Sequence, residues 1–155
     1  MNDESFLNQA IELAKKSVAE GGGPFGAVVV KDGKVIAEAA NRVTLDHDPT
    51  AHAEILAIRK AASVLGTHDL KGCTLYSSCE PCPMCLGAVY WARPDKLFFA
   101  AGRTDAMQAG FDDSFIYDQL DLSLGERSIP SRQIRGPEAL EPFRLWEKQD
   151  GKTPY

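Results

Sequence analysis

The sequence predicts a layered α/β domain in which helices cover both faces of a central mixed sheet. Segments with apolar residues at helical spacing alternate along the chain with short apolar, β-branched runs, and this alternation is typical of a three-layer α/β/α sandwich. Asp32 and Gly33 form a hairpin turn signal between the first two strands, so that pair is antiparallel. A chain of 155 residues is long enough for one domain with a sizeable core.

Four elements are predicted in the first half of the chain. Phe6, Ala10 and Leu13 recur at helical spacing, and the glycines and proline that follow end this helix. Thr50 comes directly after an Asp-Pro pair and is a candidate N-cap of the second helix. In order, the predicted elements are a helix over residues 4–20, strands over residues 25–31 and 34–43, and a helix from about residue 50 whose buried side is Ile55, Leu56, Ile58 and Ala62.

The second half of the chain repeats the alternation less regularly. Its strands are predicted from apolar, β-branched runs and its helices from apolar spacing. In order, the predicted elements are a strand over residues 73–78, a helix over 83–93, a strand over 96–101, two short helices around Met107 and Tyr117, a strand over 129–135 and a helix over 137–149.

The composition excludes several classes of protein. The formal net charge is -5 and the sequence pI is about 5.2, and an acidic surface repels phosphate backbones, which argues against nucleic acid as a partner. The apolar stretches are too short to span a bilayer, which argues against a membrane partner. Asp3 and Glu4 stand where a secretory signal would be basic. A cytoplasmic protein is therefore expected, with its four cysteines serving as metal ligands or buried thiols.

Two short segments carry the candidate chemistry. His52 stands in a His-Ala-Glu sequence, and Cys82 and Cys85 stand in Pro-Cys-Pro-Met-Cys at a predicted helix start. One imidazole and two thiolates are good zinc ligands, and a site with three protein ligands keeps a coordination position for water. A helix N-terminus also favours thiolate over thiol. The sequence therefore predicts one Zn²⁺ per chain, held by these three side chains.

Glu54 is the candidate catalytic residue. It follows His52 by two positions, so it does not share the ligand's helix face, but a water on the ion would lie one coordination bond beyond the metal. A carboxylate at that place can take a proton from water and deliver it to the substrate. His-x-Glu followed by Pro-Cys-x-x-Cys matches the signature of zinc nucleobase deaminases.

Two non-enzymatic hypotheses stay open at this point. A structural zinc site would be closed by a fourth protein ligand. Cys79, Cys82 and Cys85 also have the spacing that opens an iron–sulfur ferredoxin run, although Val89 stands where that run needs its fourth Cys. If neither hypothesis holds, Cys73 and Cys79 are expected to be small buried groups.

Longer segments resemble the cytidine-deaminase-like superfamily of zinc deaminases, which includes cytosine, guanine and tRNA adenosine deaminases. The motifs around His52 and Cys82 carry the superfamily resemblance, and three further segments are similar to its small bacterial guanine deaminases. The matching segments are residues 22–27, 48–54, 78–88, 90–94 and 109–117. The resemblance covers nearly the whole chain, and only about residues 121–135 match loosely.

The resemblance implies a role for each matching residue. His52, Cys82 and Cys85 would bind zinc and Glu54 would carry protons. Asn41 would hydrogen-bond the ring of the substrate, Phe25 would stack on it, and Asp113 would recognise a purine. It also implies a homodimer that exchanges its C-terminal segments, about residues 137–155, so that Tyr155 closes the pocket of a neighbouring subunit.

The reaction that the resemblance implies is hydrolytic deamination of a free purine base, from guanine to xanthine and ammonia. The alternatives within the superfamily are guanosine, tRNA adenosine and cytosine deamination. A tRNA substrate would need a basic surface, and the predicted C-terminal helix has three acids, Glu138, Glu141 and Glu147, against Arg144 and Lys148. The sequence leaves free base and nucleoside open.

Overall fold

The computed structural model describes residues 2–155 and divides them into two compact units. The first unit ends at Asp113, and the second runs from Ser114 to Tyr155. The first unit contains α1 (Asp3–Ala19), β1 (Gly26–Lys31), β2 (Lys34–Ala40), α2 (Val43–Asp46), α3 (Ala53–Leu65), β3 (Cys73–Cys79), α4 (Pro83–Ala92), β4 (Lys96–Ala101) and α5 (Arg103–Gln108). The second unit contains α6 (Ser114–Asp121), a 3₁₀ turn (Leu124–Glu126) and α7 (Glu141–Lys148).

The sheet is mixed, as the sequence predicts. Its strand order is β2-β1-β3-β4. β1 pairs antiparallel with both β2 and β3, whereas β3 and β4 run parallel. Parallel neighbours need a crossover connection, and α4 provides it. The metal motif Pro-Cys-Pro-Met-Cys therefore lies where the chain leaves β3 and enters α4.

Helices cover the two faces of the sheet, which confirms the three-layer architecture. Side chains of β1 alternate between the faces: Val28 packs with Phe6 and Ala10 of α1, while Ala27 and Val29 belong to the cluster formed with α3 and α4. Both clusters are buried and apolar, so the sheet is held from both sides by burial of apolar surface. Polar side chains of a functional site are therefore expected at the ends of the strands and at the adjoining helix starts.

The start and the buried side of α3 differ from the prediction. Thr50 is not the N-cap, because its hydroxyl and its backbone N–H both donate to Asp48, and the helix begins only at Ala53 with His52 as its N-cap. The fully buried positions are Ala53, Glu54, Ala57 and Ala61, whereas Ile55, Leu56, Ile58 and Ala62 are partly buried. Small side chains let α3 approach the sheet closely, and the larger ones fill the flanks.

Three further predictions about elements need correction. β2 ends at Ala40 instead of residue 43, because the Asn41 side chain accepts from the backbone N–H of Val43, which already begins α2. The expected strand over 129–135 does not form. Ile129 and Ile134 are 78% and 79% exposed. The residues between them are Pro130 and polar side chains, so the segment offers neither a full set of backbone donors nor an apolar face to a neighbouring strand. The last helix is also shorter than residues 137–149.

The second unit contains no buried residue. Its helix α7 nevertheless carries large apolar side chains, Phe143, Leu145 and Trp146, all of them exposed. A contiguous exposed apolar surface on a helix usually marks an interaction surface. No helix among residues 2–155 combines the length and the apolar character that crossing a membrane requires.

Candidate active site

The first unit brings together two helix starts at one end of the sheet. His52 is the N-cap of α3, and Cys82 is the N-cap of α4, with Pro83 at the first helical position. The Cys82 sulfur accepts the backbone N–H of Cys85 at 3.5 Å, as N-cap side chains do. Cys82 therefore lies at a helix N-terminus, as predicted, and this position favours its thiolate over its thiol.

The three predicted zinc ligands lie together. The Nδ1 atom of His52 is 3.6 Å from the sulfur of Cys82 and 3.4 Å from that of Cys85, and all three ligand atoms lie within 4.8 Å of one another. A tetrahedral site with Zn–S bonds of about 2.3 Å and a Zn–N bond of about 2.1 Å separates sulfur from nitrogen by roughly 3.6 Å. The donor set and its spacing therefore fit one Zn²⁺.

Among residues 2–155, no fourth His, Cys, Asp or Glu joins this group of ligands. The site therefore has three protein ligands and one free coordination position, as in a catalytic zinc site, and within the described chain it lacks the fourth protein ligand that closes a structural site. Cys79 lies outside the group, with its sulfur 3.8 Å from the carbonyl oxygen of Gly102, which does not fit the iron–sulfur hypothesis. Cys73 and Cys79 are free, buried thiols, as expected, and burial raises the pKa of Cys79 to about 11.

The two ligand thiols differ in acidity. A hydrogen bond with Cys85 lowers the pKa of Cys82 to about 4, and His52 acts in the same direction. The same hydrogen bond, together with burial, raises the pKa of Cys85. The hydrogen bond with Cys82 raises the pKa of His52. Zn²⁺ would take both sulfurs as thiolates, so its binding would release any proton that the two side chains hold in the metal-free protein.

Glu54 lies in the first turn of α3, next to the ligands, and only 5% of it is exposed. Burial raises the pKa of its carboxyl. A raised pKa brings a carboxyl closer to neutral pH, where a group can both accept and return a proton. Glu54 Oε1 lies 3.3 Å from the hydroxyl of Ser77 on β3.

A cavity of about 370 Å³ opens in front of these residues. Six of the eight predicted site residues line this cavity: Phe25, Asn41, His52, Glu54, Cys82 and Asp113. Cys85 is the third ligand and is fully buried. Tyr155, the eighth predicted residue, belongs to the second unit and is 74% exposed.

Asn41 directly follows β2, and hydrogen bonds hold both its backbone and its side chain. Its backbone N–H donates to Phe25, and its Oδ1 accepts from Val43 at 3.1 Å. This leaves the amide NH₂ as the donor that Asn41 can present to a ring acceptor. A Cβ at Gly23 would lie 3.0 Å from the Asn41 amide, so this glycine permits close packing against the Asn41 side chain, in addition to the predicted role of the glycines in ending the first helix.

Aromatic rings form one wall of the cavity. Phe25 and Phe111 meet edge to face, with ring centroids 5.0 Å apart and planes at 84°, which is a favoured aromatic geometry. A flat heteroaromatic ligand can stack on such a wall. Phe111 is not among the site residues predicted from the sequence, although it stands two residues before Asp113 in the matching segment 109–117.

The cavity is lined by several acidic groups. Glu80 joins Glu54 and Asp113 in its lining, and Arg103 neutralises Glu80 through an ion pair of 3.1 Å. Burial raises the pKa of Asp113. Carboxylates accept hydrogen bonds and repel anions, so the cavity suits a neutral ligand rich in N–H donors and disfavours phosphate groups. Glu80 lies between Cys79 and Pro81 and was not predicted as a site residue. Only its place beside the zinc motif could have indicated that it lines the cavity.

Comparison with known proteins identifies the class to which this site belongs. Residues 1–101 match the family model of the cytidine and deoxycytidylate deaminase zinc-binding region. The chain therefore belongs to the cytidine and deoxycytidylate deaminase family, a class of zinc-dependent hydrolytic enzymes, and zinc as the predicted cofactor is confirmed.

Within this family the chain is similar over its full length to guanine deaminase of Bacillus subtilis (strain 168). The two sequences are 58% identical over 156 residues, covering 100% of each. The crystal structure of the Bacillus subtilis guanine deaminase superposes with a TM-score of 0.98, covering 100% of this chain and 99% of the other.

Two further relatives match a smaller part of the chain. A structure in complex with 2,6-diaminopurine has a TM-score of 0.70 at 40% identity and covers 72% of this chain and 63% of its own. A tRNA-specific adenosine deaminase of Aquifex aeolicus (strain VF5) is 46% identical over 101 residues, which are 65% of this chain and 67% of that protein.

Proposed function

We propose that this protein hydrolyses guanine to xanthine and ammonia. The observation that carries the proposal is the likeness to a guanine deaminase over the whole chain, at 58% identity and a TM-score of 0.98. The likeness to tRNA-specific adenosine deaminases covers a smaller part of the chain, from 64% to 79%. The net charge of -5 and the acidic cavity lining also favour a small neutral base over a nucleic acid.

His52, Cys82 and Cys85 would hold the ion, whose Lewis acidity makes water a competent nucleophile near neutral pH. Glu54 acts as the proton carrier. It takes one proton from the attacking water and passes it to the ring nitrogen beside the amine-bearing carbon. It then takes the remaining proton of the added hydroxyl and delivers it to the leaving amine, so that the carbonyl forms as ammonia departs. The Glu54 carboxyl is buried and lies beside both the ligands and the cavity. This one group can therefore carry out all of these transfers without exchanging protons with solvent.

Substrate recognition falls to groups around the rim of the cavity. Phe25 stacks on the purine, with Phe111 holding its ring from the edge. The Asn41 amide donates to a ring acceptor. Asp113 accepts from the N–H donors on the pyrimidine edge of guanine, donors that adenine lacks at that edge. Without such donors the Asp113 carboxyl, which is partly buried, would lose hydrogen-bond partners in the complex, which is why a site of this kind rejects close analogues strongly.

The preference for guanine is expected to depend on Asp113. Wild-type protein should release ammonia from guanine faster than from guanosine, cytosine or adenine. Asp113→Ala should lower kcat/KM for guanine by about 10²-fold or more, since a hydrogen bond to a charged group is worth roughly 1.5–3 kcal/mol and Asp113 makes more than one. Ammonia release from the four substrates measures both effects.

Asp112→Ala is the matched control, because it removes the neighbouring carboxylate, which does not line the cavity. It should retain the wild-type ranking of substrates. If cytosine or adenine is the better wild-type substrate, guanine is the wrong assignment, while the deaminase class stands.

The protein is further proposed to act as a homodimer that exchanges C-terminal segments, about residues 137–155. That segment belongs to the second unit, in which no residue is buried and the apolar side chains of α7 are exposed. Exchange of identical elements is a low-cost route to a symmetric dimer, and it would place Tyr155 over the pocket of a partner. A covered pocket excludes water and holds a flat substrate in register.

Removal of residues 151–155 is expected to leave a folded, zinc-loaded protein with much lower deamination, at least about tenfold below wild type if Tyr155 completes the site. Turnover of guanine and zinc content are the measurements. Normal turnover by the truncated chain alone would show that the tail is a frayed end.

Mixing provides the test of action in trans. A truncated chain with an intact Glu54 is combined with a full-length Glu54→Gln chain under conditions that let subunits exchange. Part of the activity should return, because the intact tail of one chain then closes the intact metal site of the other. If the activity of the mixture does not exceed the sum of the activities of its two components, exchange of the C-terminal segments is contradicted.

A cytosolic location and a role in purine metabolism complete the proposal. The thiol ligands support the location, since a reducing compartment keeps Cys82 and Cys85 available to the metal.

A further inference from the structure

Ser77 is a fully buried polar residue beside the candidate active site. It lies on β3 with 0% of its surface exposed, paired in register with Ala27 of β1 and Phe99 of β4. Its Oγ atom is 2.7 Å from the carbonyl oxygen of Cys79 and 3.3 Å from Oε1 of Glu54. The hydroxyl thus lies between the zinc-motif loop and the proposed proton carrier.

A serine hydroxyl has one hydrogen to donate and lone pairs with which to accept. When Glu54 is a carboxylate, the Ser77 hydroxyl can turn its hydrogen to Oε1. When Glu54 carries a proton, the carboxylic acid can donate to Oγ while the hydroxyl donates to Cys79. One buried hydroxyl therefore contacts Oε1 in both states, and only the O–H bond has to rotate.

We propose that Ser77 is a positioning residue for catalysis, which anchors Oε1 of Glu54 throughout the reaction and so keeps the other carboxyl oxygen directed at the reacting groups. The proposal deepens the role proposed for Glu54 and depends on it. Without the anchor, the Glu54 side chain gains rotational freedom inside the first turn of α3, and each proton transfer must first restore its orientation. Ser77 need not contact either substrate or metal for this purpose.

The test is Ser77→Ala, with kcat, KM, zinc content, thermal midpoint and the inhibition constant of xanthine measured together. Xanthine is the probe of binding because it has no amine to lose. We expect kcat to fall about 10- to 100-fold, the range that one hydrogen bond to a charged group represents. Zinc per chain, KM and the xanthine constant should stay within about twofold of wild type.

Thr74→Val is the matched control, because it removes a hydroxyl from the same strand with little change of shape at a position that does not line the cavity. It should keep the wild-type kcat. Ser77→Cys, which preserves the volume with a weaker donor, is the second variant should the alanine protein fail to fold, and its kcat should fall at least severalfold.

Two results would overturn the proposal. Wild-type kcat in zinc-loaded Ser77→Ala and Ser77→Cys would show that Glu54 needs no anchor. A loss of zinc or a weaker xanthine constant in proportion to the loss of kcat would show that the hydroxyl serves only the Cys79 carbonyl. A failure of the Glu54 assignment itself is recognised separately, because Glu54→Gln would then turn over guanine normally.

Discussion

Glu54→Gln is expected to keep its zinc and to lose nearly all turnover. Glutamine has almost the shape of glutamate and preserves the packing at a position that is 5% exposed, but it cannot carry a proton. Positioned acid–base groups supply about 10²–10⁴-fold, and Glu54 is proposed to serve several transfers in each cycle, so the loss should reach the upper end of this range or exceed it. Elemental analysis and ammonia release on the same sample measure both properties.

Glu54→Asp is the graded control for this result. It keeps a carboxyl but withdraws it by one methylene, so some proton transfer should survive and turnover should lie between those of wild type and Glu54→Gln. A zinc-loaded Glu54→Gln protein with nearly wild-type turnover would assign the proton transfers to another group. Among the cavity carboxyls, Asp113 and Glu80 would then be examined first.

Cys82→Ala is expected to lose most of its zinc and, with it, its activity. The change removes one of three ligands and also the side chain that caps α4. Loss of an N-cap costs about 0.5–2 kcal/mol on its own, so a lower thermal midpoint should accompany the loss of metal. Elemental analysis after purification and a thermal melt are the measurements.

Cys73→Ala is the matched control for the loss of a thiol. Cys73 is a buried cysteine at the opposite end of β3 and is not part of the ligand group. This variant should lose some stability through the small void it creates, but it should hold zinc and turn over guanine. Full zinc retention by Cys82→Ala would contradict the ligand assignment.

The part of the site that sequence could predict is the part built from local motifs. His52 with Glu54, and Cys82 with Cys85, are near neighbours in the chain at helix starts, so spacing and residue type already imply their geometry. Ser77 could not be found in this way. Its partner Glu54 is 23 residues away, and an isolated serine in a strand has no distinctive pattern until the packing of α3 against the sheet is known.

The fold was predictable for a similar reason, and its errors have a common cause. The strands of the first unit were placed well because their apolar runs are bounded by turns and buried by helices. The expected strand over residues 129–135 has only two apolar residues besides its proline, Ile129 and Ile134, and no strand among the described residues pairs with it. On α3, the larger Ile55 and Ile58 were assigned to the buried side because of their size. Ala57 and Ala61 are the fully buried residues, whereas Ile58 packs against the same core cluster while only partly buried.

The placement of His52 and Cys82, one residue before their respective helices and 30 residues apart in the chain, gives the ion a part in folding. In an unfolded chain the two ends of this segment move independently, and bringing them together carries an entropic cost that rises only slowly with length. An ion bound at both ends acts as a removable cross-link around α3 and β3, and its binding free energy becomes folding free energy. The supply of zinc would then determine how many molecules stay folded as well as how many are active. A chelator would remove the catalytic ion and the cross-link together.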